Sequence, residues 1–214
     1  MHDVVDRLIS IQKEIQSKKS HAQIVAVSKT FPMNKILPLI NHGHKHFGEN
    51  KVQEAIEKWT FIKNDFTDIK LHLVGKLQTN KVKYVIPLFD YIHSLDNRKL
   101  AEKISTEQEK KKIKPKIFIQ INIGNETQKS GIEIENLESF YSLCTKELGL
   151  NIIGLMCLPP NEENPSLYFS KMQELSNMIQ TKDLSMGMSN DYVEAVKFKS
   201  TFLRIGSKIF GSRD

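Results

Sequence analysis

A single parallel (β/α)8 barrel with one extra helix at its amino terminus is the fold this sequence predicts. Three observations lead there. Short apolar runs rich in β-branched residues alternate, almost from end to end, with stretches whose apolar residues recur at helical spacing. About eight such strand-helix units fit into about 190 residues. No Gly/Ser-rich linker or low-complexity tract interrupts them. Regular βα alternation implies a parallel sheet, and eight units favour closure into a TIM-type barrel over an open doubly wound sheet. The absence of a glycine-rich dinucleotide fingerprint after any early strand further weakens the doubly wound alternative. The expected organisation is one domain over residues 1–214, with a helix at 1–18 and the barrel at 24–211.

Element by element, Val4, Leu8, Ile11 and Ile15 mark the opening amphipathic helix. Ile24 to Val27 reads as a buried strand, followed by a helix that Pro32 begins and Gly43 ends. His46-Phe47-Gly48 leads to a helix around 52–62, and Leu71 to Val74 to one around 80–86. Tyr91 to Leu95 precedes a helix over 97–112, and Ile117 to Ile123, the clearest strand, precedes one over 137–148. Ile152 to Cys157 runs into Pro159-Pro160 and a helix over 167–179. A strand at 184–188 precedes a helix over 191–197, and Phe202 to Ile205 ends the barrel at Gly206.

Composition excludes several classes. The chain is 39% hydrophobic and 26% charged, ordinary for a globular protein. No apolar run approaches the roughly 20 residues of a membrane span, and the charged amino terminus does not resemble a signal peptide. Two cysteines, Cys144 and Cys157, argue against a disulfide framework and point to the cytoplasm. The net charge of +6 suits nucleic acid, an anionic surface or a phosphorylated small molecule. The densest basic run, Lys110 to Lys116, has no interleaved aromatics and falls at an expected helix end, where cations offset the macrodipole. That disfavours a nucleic-acid partner.

In such barrels the chemistry gathers at the carboxyl ends of the strands, and phosphates bind near strands seven and eight. Lys29 ends the first strand. A neutral amine there is a nucleophile for an aldehyde, although a lysine can equally lay its stem on apolar wall and cap the strand. The turn Ser185 to Asp191 sets a glycine and a serine before a helix, so Ser189 offers an anion its hydroxyl and N–H, or simply caps that helix. Gly206 and Ser207 add more donors after the last strand. Arg204 lies inside an apolar strand, where a buried guanidinium requires a partner such as a ring nitrogen or a phosphate. A reactive lysine, a phosphate cup and an inward arginine together suggest pyridoxal 5′-phosphate.

Several blocks carry a family likeness: Ala26 to Thr30, Phe47 to Glu54, His72 to Lys81, Lys129-Ser130-Gly131, Gly154-Leu155-Met156, Ser185 to Asp191, and Arg204 to Gly211. In this order they resemble the pyridoxal phosphate homeostasis protein family. The resemblance implies a barrel like the N-terminal domain of alanine racemase and a Schiff base on Lys29. It implies phosphate contacts around Met188, Ser189, Gly206 and Ser207, Arg204 facing the pyridine nitrogen, and Asn50 near the ring. It further implies a monomeric, non-catalytic carrier or buffer of the cofactor that affects vitamin B6 and amino-acid balance. A cofactor mouth open to solvent is expected to admit free amino acids or a pyridoxal-phosphate-dependent apo-enzyme as further partners. Two departures are an LHLVG block where an aromatic often follows the histidine, and a chain that stops at Asp214.

An amino-acid racemase or lyase is the competing enzyme reading. Inversion needs an acid and a base on opposite faces of the substrate carbon. Racemases take the second group from a further domain, for which this chain leaves no length, and Tyr84, Tyr91, Tyr141, Tyr168 and Tyr192 are expected in packing roles. A cation beside the ring nitrogen also weakens the ring as an electron sink. His42, His44 and His46 invite a metal, but no further Cys/His pair has ligand spacing, so none is expected. Cys157, at a strand end, is expected as a small core thiol.

Overall fold

The computed structural model describes residues 3–126, 130–160 and 163–212. Eight strands close into an all-parallel barrel in sequence order: β1 (Gln23–Val27), β2 (His46–Glu49), β3 (Lys70–Leu73), β4 (Tyr91–Leu95), β5 (Lys116–Ile121), β6 (Ile152–Cys157), β7 (Asp183–Ser185) and β8 (Phe202–Ile205). β1 seals the cylinder against β8, with Val25 opposite Arg204. The barrel expected from the alternating periodicities is therefore the fold observed.

Helix α1 (Asp3–Ser17) precedes the barrel and buries Val4, Val5, Leu8, Ile11 and Ile15. Around the cylinder follow α2 (Met33–Asn41), α3 (Val52–Asp65), α4 (Val82–Val85), α5 (Arg98–Lys111), α6 (Leu137–Ser142), α7 (Pro165–Met178), α8 (Tyr192–Lys197) and α9 (Ser207–Phe210). Asn97 caps α5 through Leu100 N–H, and Lys112 ends it in the left-handed conformation, so the lysine run is a helix terminus. None of these helices is long and apolar enough to cross a membrane.

Several boundaries differ from expectation. The fourth helix shrinks to a 3-10 turn, Thr79–Lys81, running into α4; Ile86 still has helical angles, and Pro87, which lacks an N–H, cannot extend the ladder. The helix expected over 137–148 changes at Leu143 into a wide π turn. β7 stops at Ser185 rather than 188, because Gly187 takes φ +93° and turns the chain. The one-turn α9 was too short to show a periodicity.

Alternation along the strands divides the core in two. Phe47, Leu71, Ile92, Ile117 and Leu155 face outward and pack with the helices. Val25, Tyr91, Phe118, Met156 and Phe202 form a smaller cluster inside the cylinder. The inward set also holds buried His72 and His93, so the lumen is not wholly apolar.

Candidate functional site

Val25, Val27 and Lys29 share one face by period two, which brings Lys29 to the carboxyl-end mouth. A cavity of about 1130 Å³ opens there. Lys29, Asn50, Met188, Ser189, Arg204, Gly206 and Ser207 all line it, so the structure brings every sequence-predicted site residue together. Val74, Gly75, Leu158 and Pro159 complete much of the wall and were not anticipated. Lys129 lies outside the described residues.

The segment bearing Lys29 is held by a cluster that the sequence reading missed. Lys58, on α3, directs its ammonium at Ser28 O (2.9 Å), Glu49 Oε1 (3.2 Å) and Glu54 Oε1 (2.7 Å). Three acceptors match the three donors of the group. Glu49 Oε1 also accepts from Ser28 Oγ at 2.8 Å and Trp59 Nε1 at 3.1 Å. Glu54 takes the N–H of Thr30, whose φ of +69° turns the chain immediately after Lys29. Both peptide neighbours of Lys29 are thus tied to α3. Burial raises the Glu49 carboxyl above the ordinary glutamate value, with Lys58, Trp59 and Ser28 opposing it. Period two places Glu49 on the same outward face as Phe47, and a carboxylate on a core face was the available signal.

Arg204 is buried, as expected, but its first partners belong to the protein. Nη1 donates to Ser185 O at 2.5 Å and to Ser185 Oγ at 2.6 Å, and Nη2 donates to Cys157 O at 2.8 Å. Nε–H and one Nη2–H are not taken by any described residue. Cys157 therefore contributes its carbonyl, while burial pushes its thiol up to about 12.

On the neighbouring wall, the turns after β7 and β8 that bear Ser189 and Gly206-Ser207 are stapled together by Lys208 N–H donating to Ser189 Oγ at 3.3 Å. This corrects the reading of Ser189 as a helix cap. Asp191 holds the cap position of α8, and its Oδ1 accepts from Met188 N–H at 2.6 Å. Asn50 is seated by a close approach: a Cβ on Gly75 would lie 2.4 Å from Asn50 O. The Asn50 Oδ1 is buried without a hydrogen-bond partner.

The histidine cluster divides. His44 packs edge-on against Phe47, whereas His46 enters the lumen and meets His72 at 2.9 Å. No group of three metal-capable side chains occurs among the described residues. None of the five tyrosines lines the cavity. Tyr91 stacks on His72 inside the barrel, and the buried Tyr192 hydroxyl bonds Glu14.

This barrel is of the alanine racemase N-terminal type, and residues 6–214 match the sequence model of the alanine racemase, N-terminal domain. The alanine racemase of Bartonella henselae shares the fold at TM-score 0.75 and 16% identity, over 99% of this chain and 61% of that one. Within that class, the chain belongs to the pyridoxal phosphate homeostasis protein family. It is 36% identical to the member from Aquifex aeolicus, covering 98% of this chain and 95% of the relative. It is 34% identical to the member from Vibrio cholerae, over 99% of this chain and 94% of the relative. PipY of Synechococcus elongatus, solved with PLP bound, superposes at TM-score 0.87 with 31% identity, over 97% of this chain and 100% of that chain.

Proposed function

We propose that this chain holds pyridoxal 5′-phosphate covalently on Lys29 and acts as a non-catalytic carrier in vitamin B6 homeostasis. One observation carries the reading: a lysine, an arginine and two serine-bearing turns, distant in sequence, converge on one cavity at the barrel mouth. The groups present fit the cofactor. The buried, unpartnered Asn50 Oδ1 is an acceptor suited to a ring hydroxyl, and the uncommitted N–H groups of Arg204 suit a ring nitrogen. The Ser189 and Ser207 hydroxyls, beside Gly206, suit a phosphate.

Bound there, the cofactor would supply an aldehyde, and Lys29 would hold it covalently through its side-chain nitrogen. The chain's own part is to bind and to restrain. A guanidinium stays cationic and cannot accept a proton, so Arg204 keeps the ring nitrogen unprotonated. Among the described residues lining the cavity there is no tyrosine, histidine or cysteine, and its two carboxylates are engaged, Glu163 by the Tyr168 hydroxyl and Asp191 by Met188 N–H. Both features favour storage over turnover. The open mouth lets free amino acids or an apo-enzyme reach the carbon–nitrogen bond.

The test is to add pyridoxal 5′-phosphate, record the visible spectrum, reduce with borohydride and locate the label by peptide mass spectrometry. A band lost on reduction, with label on Lys29 and none in Lys29→Ala, is the expected result. Label scattered over surface lysines would refute the site. Useful turnover of alanine or serine by the loaded chain would replace the carrier with a racemase or lyase.

A further inference from the structure

A chain of imidazoles crosses the lumen and ends on the arginine of the site. His46 Nδ1 meets His72 Nε2 at 2.9 Å, His72 Nδ1 meets His93 Nε2 at 2.9 Å, and His93 Nδ1 meets Ser185 Oγ at 2.7 Å. Ser185 Oγ in turn accepts from Arg204 Nη1 at 2.6 Å. The first three residues stand on neighbouring strands β2, β3 and β4, whereas Ser185 is on β7, so the His93–Ser185 bond spans the barrel interior. Tyr91 stacks on His72 at 4.1 Å and Phe118 on His93 at 4.4 Å, which fixes the planes of both rings.

The arginine gives this chain a direction. Arg204 has no acceptor, so the Ser185 oxygen receives its hydrogen, and the hydroxyl proton must go elsewhere. Among the described residues the acceptor offered to it is His93 Nδ1. His93 then carries its hydrogen on Nε2 and donates to His72 Nδ1, and His72 donates from Nε2 to His46 Nδ1. Reversal would point a second donor at an oxygen already facing the cation and would strand the hydroxyl proton in a buried site. Burial and the Arg204 charge hold His93 neutral, and burial and its histidine neighbours do the same for His72.

We propose that His93 and Ser185 are positioning residues for Arg204: the oriented imidazole chain fixes the Ser185 hydroxyl, and the hydroxyl fixes the guanidinium at the cavity. This rests on the reading that Arg204 faces the ring nitrogen. A guanidinium so pinned keeps one pose whether or not the cofactor is bound, and its remaining N–H groups stay directed at the ring.

Two measurements test it. In the unloaded, unmutated chain, long-range proton–nitrogen correlation spectra report the tautomer of each histidine. His93 and His72 are expected as neutral Nε2–H forms at neutral pH. A protonated His93, or an Nδ1–H form, would overturn the proposal without reference to any cofactor. In the loaded chain, His93→Phe keeps the ring but offers Ser185 no acceptor, and Ser185→Ala removes the hydroxyl alone. Both are expected to release the cofactor about tenfold faster or more and to shift its visible band, since a hydrogen bond to a charged group is lost. His93→Gln can accept from Ser185 and donate to His72, so it is expected to restore both readouts. Unchanged release and spectrum in Ser185→Ala, or a Gln variant as impaired as the Phe variant, would refute the relay. If the unmutated chain takes no label on Lys29, the site reading itself has failed, and the tautomer spectra still decide the orientation of the chain.

Discussion

Replacing Lys58 by methionine keeps most of the stem and removes a charge on which both neighbours of Lys29 depend. The Lys58 side chain is 13% exposed and that of its partner Glu49 is fully buried. Removing one member of such a pair leaves an uncompensated charge and costs about 3–5 kcal/mol. Serine and tryptophan still donate to Glu49 Oε1, but Oε2 is already buried without a partner, so the carboxylate cannot recover what it loses. The native carboxyl, raised by burial, then rises further. Between its unfolded and native pKa the folded chain holds a proton that the unfolded chain does not. Stability of Lys58→Met therefore falls as pH rises through that window, by up to about 1.4 kcal/mol per unit. Urea unfolding followed by circular dichroism, at steps from about pH 5 to pH 8, measures both the loss and its slope. The double variant Lys58→Met with Glu49→Gln is expected to recover at least half the loss at the upper end and to flatten the slope. A loss under about 1 kcal/mol, as for an exposed pair, or a slope that persists in the double variant, would refute this account.

Gly187→Ala is expected to cost about 2–5 kcal/mol in the same unfolding assay, combining a left-handed backbone with overpacking. Its Cβ would lie 2.6 Å from Ala195 Cβ and 2.9 Å from Leu203 Cδ2, at φ +93°. Because Arg204 N–H donates to Gly187 O at 2.9 Å, cofactor retention by filtration should fall too. His44 is lowered from 6.5 to about 4 by burial, so the unfolded chain binds the proton first and stability drops as pH falls through that interval. His44→Gln should remove about 3 kcal/mol of that acid sensitivity, read by urea titrations at both ends of the interval. Burial pushes both thiols, Cys144 and Cys157, up to about 12, so a disulfide reagent should label them in urea far faster than in the native chain.

The sequence by itself determined the order and parallel sense of the barrel. Strand and helix periods differ, and their alternation survives local variation in composition. It also located Lys29 and Arg204, because a charged residue at or within an apolar strand stands out against its neighbours. Only the tertiary structure decided which face of each strand looks into the lumen. In a parallel sheet covered on both sides, inner and outer residues are alike apolar, and period two alone does not tell them apart. In sequence His46 reads beside His42 and His44, Ser185 as the start of a turn, and His72 and His93 as strand residues; register and closure set all four within hydrogen-bonding distance across the cylinder. The Lys58 cluster stayed hidden for a related reason. Glu49 on a core face signals that it needs a partner but not which one, and only packing of α3 against the ends of β1 and β2 brings Lys58 to it.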